Sequence, residues 1–134
     1  MTKHEINTSE QNGSSMYQRL GIIAQADSDF VAAEQWYRKA LAIKEKCGNE
    51  HGAAITYLQF GVLAGLQDHF LESGRWLIRA IVTFIHQQDA HFAKMSVDNF
   101  LITYRKAPLD IQAQLRQLWE EAGLGVLPED GNPP

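Results

Sequence analysis

Apolar and small residues recur at helical spacing along most of the chain. Near the N-terminus they follow one another at steps of three and four, as in Tyr17, Leu20 and Ala24. After a short polar break the same spacing returns with Ala33 and Tyr37. A period of this kind places the apolar residues on one side of a helix. This part of the chain therefore predicts two amphipathic helices.

Polar triplets mark the ends of these helices. Asp27-Ser28-Asp29 and Gln67-Asp68-His69 provide side-chain oxygens of the kind that favour turns and helix N-caps. Pro108 is tolerated in a first helical turn, and Gly123 followed by Leu124 is typical of a helix C-terminus. Together the period and the breaks predict helices at 15–27, 30–46, 51–67, 70–87, 91–106 and 108–122.

The pattern repeats after forty residues. Six positions are identical between the first copy and the second: Tyr17 and Tyr57, Gly21 and Gly61, Ala24 and Ala64, Phe30 and Phe70, Trp36 and Trp76, Ala40 and Ala80. A third copy is degenerate, because Leu101 and Tyr104 stand where the first two have glycine and alanine. Because glycine lets two helices approach closely, we expect the third helix pair to pack less tightly.

Two-helix units of this kind cannot bury their apolar sides alone, so they must stack on one another. The sequence thus predicts an all-α fold, a short solenoid of three antiparallel helix hairpins. We expect a polar, disordered tail at 1–14, a helical-repeat domain at 15–122 and a frayed tail at 123–134. Within the domain the repeats span about 15–50, 51–90 and 91–122, and the last serves as a cap.

Composition narrows the classes of function. The net charge is −4 and the pI about 5.7, which disfavours a general affinity for nucleic acid or anionic lipid. The N-terminus lacks a signal-peptide pattern, and the apolar stretch 76–85 is too short to span a bilayer. The single cysteine, Cys47, fits a reducing compartment. We therefore expect a cytoplasmic protein that binds neither nucleic acid nor membrane.

The run YQRLGIIAQADSDFVAAEQWYRKALAI resembles a tetratricopeptide repeat (TPR). It has an aromatic residue, Leu-Gly, a small residue, and then alanine, an aromatic and alanine at that family's spacing. The forty-residue period is longer than the usual 34 or so, and is similar to that of extended bacterial and signalling variants. The resemblance implies a right-handed superhelical solenoid whose first helices line a concave, protein-binding face.

Positions in that groove carry over residue by residue. The resemblance implies partner contacts from three helices: Gln18, Arg19 and Ile22; Leu58, Gln59 and Val62; and Asp98, Asn99 and Ile102. Arg19, Gln59 and Asn99 are forty residues apart from one another. These three polar members would form a ladder that can hydrogen-bond the backbone of an extended peptide. The family's Lys and Asn pattern for a terminal carboxylate is not present, so such recognition is not expected.

Candidate chemistry is sparse. The sequence has no phosphate-binding loop, dinucleotide turn, nucleophile elbow or paired cysteines, so we expect no enzymatic activity, cofactor or metal. His86 and His91 flank a predicted turn. His51 and His91 lie forty residues apart and are expected to cap helices rather than bind a metal. Four basic residues of the second helix share it with Glu34 and Glu45, which favours a solvated face over a nucleic-acid patch. These are Arg38, Lys39, Lys44 and Lys46.

The resulting hypothesis is a non-enzymatic protein- or peptide-binding module, a scaffold that uses the concave face. One alternative is a structural or oligomerising element, or the terminal part of a larger bacterial signalling or scaffold protein, because a short array exposes apolar end faces and could form a homo-oligomer. A small regulatory or catalytic protein is a third reading.

Overall fold

The computed structural model describes residues 3–128, and for 3–12 the backbone only. The described part is all-α, with no strand. Its six helices are α1 (Lys3–Ala26), α2 (Phe30–Lys46), α3 (Glu50–Leu66), α4 (Phe70–His86), α5 (Ala90–Lys106) and α6 (Leu109–Glu121). None of the described helices is long and apolar enough to cross a membrane.

The four central helices have the same length and the same connections. Each of α2 to α5 has 17 residues, and three-residue turns join α1 through α5 in succession. The middle residue of each turn is left-handed, with φ of 59° at Ser28, 69° at Gly48, 60° at Asp68 and 59° at Gln88. The forty-residue period therefore consists of two twenty-residue units, each a helix and its turn.

Backbone hydrogen bonds explain why each turn closes in the same way. At the end of α2, Gly48 N–H donates to the Glu45 carbonyl at 3.1 Å and Asn49 N–H to that of Lys44 at 2.9 Å. This is the Schellman arrangement, which satisfies the last carbonyls of a helix. Asn49 then caps α3, because its side chain accepts from Gly52 N–H. Each turn therefore ends one helix and begins the next within three residues.

Predicted and observed helix boundaries agree within one residue, except at the N-terminus. The predicted start of the first helix at 15 is wrong, because α1 begins at Lys3. Its backbone thus covers most of the segment 1–14 expected as a tail, of which 1–2 lie outside the described residues. No proline interrupts this segment, and Gly13 is the only strong helix breaker in it.

Neighbouring helices pack in pairs. Contacts between α2 and α3 join the first hairpin to the second, and contacts of α4 with α5 and α6 join the second to the third. Glycines lie at the crossings within the first two hairpins. A Cβ on Gly21 would overlap the Tyr37 ring, and one on Gly61 would lie 2.5 Å from Cγ of Leu77. Tyr37 and Leu77 are fully buried. The repeated glycine therefore makes room for a large side chain of the following helix.

The third hairpin departs from this arrangement, as its sequence predicts. Leu101 replaces the crossing glycine, and α6 packs more against α4 than against α5. Buried Leu115 fits over Gly74 of α4, while the Trp119 and Phe100 rings lie 5.2 Å apart. Helix α6 thus packs over the first half of α4.

The predicted frayed tail at 123–134 is wrong for its described part. Gly123 takes a left-handed φ of 76°, as expected for a helix C-terminus. Leu124 then packs against the core, and Leu127, only 2% exposed, lies within it. The apolar residues after Gly123 are thus part of the fold, and 129–134 lie outside the described residues.

Candidate partner-binding surface

The nine predicted contact residues lie on α1, α3 and α5. We call the side of the array formed by them the odd-helix surface. Three apolar members occupy equivalent positions in the three hairpins: Ile22, Val62 and Ile102. Ile22 is 51% and Ile102 48% exposed, whereas Val62 is half-buried. Because exposed aliphatic side chains at equivalent positions favour contact with another chain, they are the starting point for this surface.

The structure brings the α3 and α5 members together. Val62, Asn99 and Ile102 line one depression of about 70 Å³ between the two helices. Exposed Leu66 extends its apolar wall. Lys106, also in the lining, is exposed and places a positive charge there. The depression can therefore receive a small aliphatic side chain, with an amide and an ammonium group nearby.

The side chain of Gln18 connects α1 to α2 and α3 through hydrogen bonds. Its Nε2 donates to Thr56 Oγ1 at 3.2 Å and to Gln59 Oε1 at 3.1 Å, both on α3. Its Oε1 accepts from Nζ of Lys44 on α2 at 2.7 Å. Gln18 thus holds three helices in register. The side-chain oxygen of Gln59 is already used as an acceptor in this network.

The remaining predicted residues differ in how available they are. Leu58 is 6% exposed and belongs to the core. Asp98 pairs with Lys94 one turn away at 2.9 Å, while Asn99 donates from Nδ2 to the Met95 carbonyl. Arg19 is exposed. We therefore leave Leu58 out of the binding surface considered below.

Lys44 is not on a solvated face, so that part of the prediction is wrong. Its side chain is 6% exposed, and its ammonium also donates to the Gly52 carbonyl at 3.2 Å. Burial lowers the pKa of Lys44 to about 8. The sequence carried a signal for this, because the position forty residues later holds Phe84, which is buried.

A histidine at the start of α3 contacts a carboxylate in the turn before α5. His51 Nε2 lies 2.7 Å from Asp89 Oδ2, and its ring packs edge-on against Phe84 and Phe92. The hydrogen bond from Phe92 N–H, followed by that from His51, lowers the pKa of Asp89. The His91 ring also packs edge-on against the Phe92 ring. Among the described residues no three potential metal ligands cluster.

A second, larger groove lies on the side of the even-numbered helices. It has a volume of about 540 Å³ and runs between α2 and α4 over the start of α3. The guanidinium of Arg79 sits 4.1 Å from the centre of the Tyr57 ring, a cation–π contact in its wall. Half-exposed Val82 also lines it. Sequence reasoning did not single out this groove.

Comparison of the chain with models of known protein families, with curated proteins and with solved structures finds no match.

Proposed function

We propose that this protein is a non-enzymatic binding module that holds an extended segment of a protein partner on the odd-helix surface. The observation that carries the proposal is the shared depression of Val62, Asn99 and Ile102. The resemblance to tetratricopeptide repeats supports it, since in that family the corresponding helices line the concave face of a right-handed superhelix. The bound segment would follow that face from hairpin to hairpin.

The chemistry of the surface defines the ligand. An aliphatic side chain fits the depression between α3 and α5, where it removes apolar surface of Ile102 from water. The amide of Asn99 can bond the peptide backbone, and Lys106 favours an acidic residue next to the aliphatic one. Arg19 and Ile22 continue the surface on α1. The proposed ligand is thus an extended peptide with an aliphatic residue beside an acidic one.

Peptide selection tests this proposal without a known partner. A displayed library of random peptides is selected on the immobilised wild-type protein, and the selected peptides are then titrated against variants. Ile102→Glu should weaken binding by at least about tenfold, about 1.4 kcal/mol, because it places a carboxylate in the depression. The combined Arg19→Ala, Gln59→Ala and Asn99→Ala variant should weaken it as well.

Two control variants locate the binding surface. Ile85→Glu changes an exposed side chain of α4, and Val82→Glu alters the groove between α2 and α4. Neither should affect the selected peptides. Peptides that bind Ile102→Glu as tightly as wild type, or that lose affinity only for Val82→Glu, would contradict the proposal. Circular dichroism of each variant checks that the helices are retained.

A further inference from the structure

Helix α1 carries an apolar stripe that the described residues leave uncovered. The stripe consists of Met16, Leu20 and Ile23, which follow one another at steps of four and three on one side of the helix. Met16 is 56% and Ile23 59% exposed, and Leu20 between them is half-buried. Within 13–26 of α1 the only charged residue is Arg19. The N-terminal end of the array thus presents a weakly charged, apolar helix side.

In the later hairpins the equivalent stripes are interior. Phe60 and Leu63 of α3 pack with Ala33 and Tyr37 of α2 in one buried cluster, and Thr56 bonds to Gln18. On α5 the same positions are buried against the preceding hairpin. The buried equivalents of the α1 stripe are Thr56, Phe60 and Leu63 in the second hairpin, and Ser96, Phe100 and Thr103 in the third. The stripe on α1 is therefore the type of surface that packs against another helix.

The opposite end of the array does not offer the matching surface. Inside the array, each stripe meets small and large side chains of the preceding even-numbered helix, most of them apolar. These are Ala33, Tyr37 and Ala40 on α2, and Ser73, Leu77 and Ala80 on α4, all of them buried. The positions forty residues later, on the solvent side of α6, are exposed Ala113, Gln117 and Glu120. A head-to-tail stack would bury Gln117 and Glu120 against apolar side chains, which is unfavourable.

We propose that two copies of this chain pair through their α1 stripes. The polar α6 end disfavours a head-to-tail stack, so the apolar stripe finds its match in the same stripe of a second copy. Such a contact is isologous and closes as a two-fold dimer. With Leu20 at the axis, the two α1 helices run antiparallel, and Met16 of each copy faces Ile23 of the other.

The size of the stripe sets the strength of the dimer. Three apolar side chains per copy form a contact smaller than the roughly 800 Å² per partner of a standard stable interface. We therefore expect a reversible dimer with a dissociation constant of about 1–100 μM. The stripe residues are distinct from those that line the depression between α3 and α5.

Sedimentation equilibrium of the full chain tests the pairing. Over an about hundredfold range of concentration around the expected constant, the mass should rise from 15.1 kDa towards twice that value. Ile23→Glu should raise the dissociation constant at least about tenfold. Val31→Glu is the matched control, because Val31 is exposed on α2 outside the stripe, and it should dimerise like wild type.

A charge pair tests the antiparallel geometry. Met16→Lys and Ile23→Glu should each dimerise more weakly than wild type alone, whereas their mixture should regain a dimer because lysine faces glutamate once in the mixed pair. Ile23→Gln is a second variant that introduces no charge and perturbs the fold less, and it should also weaken the dimer. A mass fixed at that of the monomer, growth beyond the dimer, an unaffected Ile23→Glu variant, or no recovery on mixing would overturn the proposal.

Discussion

The glycine at the crossing of α3 and α4 provides a sharp test of the packing. A Cβ on Gly61 would lie 2.5 Å from Cγ and from Cδ2 of Leu77, about 1 Å closer than ordinary contact. Leu77 is fully buried within the main core cluster, so it has little room to move away. We therefore predict that Gly61→Ala destabilises the fold, although alanine is the better helix former.

Two opposing terms set the magnitude. Replacing a helical glycine by alanine gains about 1 kcal/mol from helix propensity. Overpacking a core costs about 1–3 kcal/mol, and the required shift of a fully buried leucine places this case at the upper end. The net loss is thus about 2 kcal/mol, which corresponds to a fall in Tm of about 8 °C for a domain of this size.

Thermal and urea denaturation followed by circular dichroism measure this loss, with Gly13→Ala as the matched control. Nothing lies within 4 Å of a Cβ at Gly13, so that change should stabilise α1 by about 0.5–1 kcal/mol. Adding Leu77→Val to Gly61→Ala should recover part of the loss by freeing space. A Gly61→Ala protein as stable as wild type would refute the close crossing.

Two further predictions concern buried polar groups. Below pH 8 Lys44 is protonated in both the folded and unfolded states, so the cost of burying its ammonium is fully present. Between its folded pKa of about 8 and its ordinary value of 10.5 the folded state loses the proton first, so the free energy of unfolding should rise, by up to about 3 kcal/mol. Urea titrations between pH 8 and 10 should show this rise in wild type and not in Lys44→Met; equal slopes would contradict it. Ser73→Ala should cost about 1–2 kcal/mol, because the buried Ser73 hydroxyl donates to the Gly61 carbonyl at 2.7 Å and contacts Thr103 Oγ1. The matched change Thr83→Ala removes an exposed hydroxyl bond and should cost less in the same denaturation assay.

Local patterns in the sequence were sufficient to predict the hairpins. The three-residue breaks and the helical period gave α2 to α6 within one residue, because capping side chains such as Asn49 and Asp89 act over three positions. The start of α1 was missed because the polar residues before Met16 have no apolar period that would indicate a helix. Leu127 was missed because a short apolar segment after a glycine reveals nothing about what it packs against.

Burial of individual side chains depends on the stacking of hairpins, which local patterns do not contain. Lys44 looked solvated among charged neighbours, yet α1 and α3 cover it. Leu58 looked like a groove residue by position, yet it lies in the core. For Lys44 the forty-residue shift is the better guide, because it pairs this residue with buried Phe84.

The uniform turns have a consequence for how such a chain can change in length. Since the turns centred on Ser28, Gly48, Asp68 and Gln88 have the same geometry, a duplication or loss of forty residues rejoins the backbone at an equivalent point and keeps every helix on its own side. An odd number of twenty-residue units would instead exchange the places of odd- and even-numbered helices downstream. Insertions and deletions between homologues should therefore favour multiples of forty.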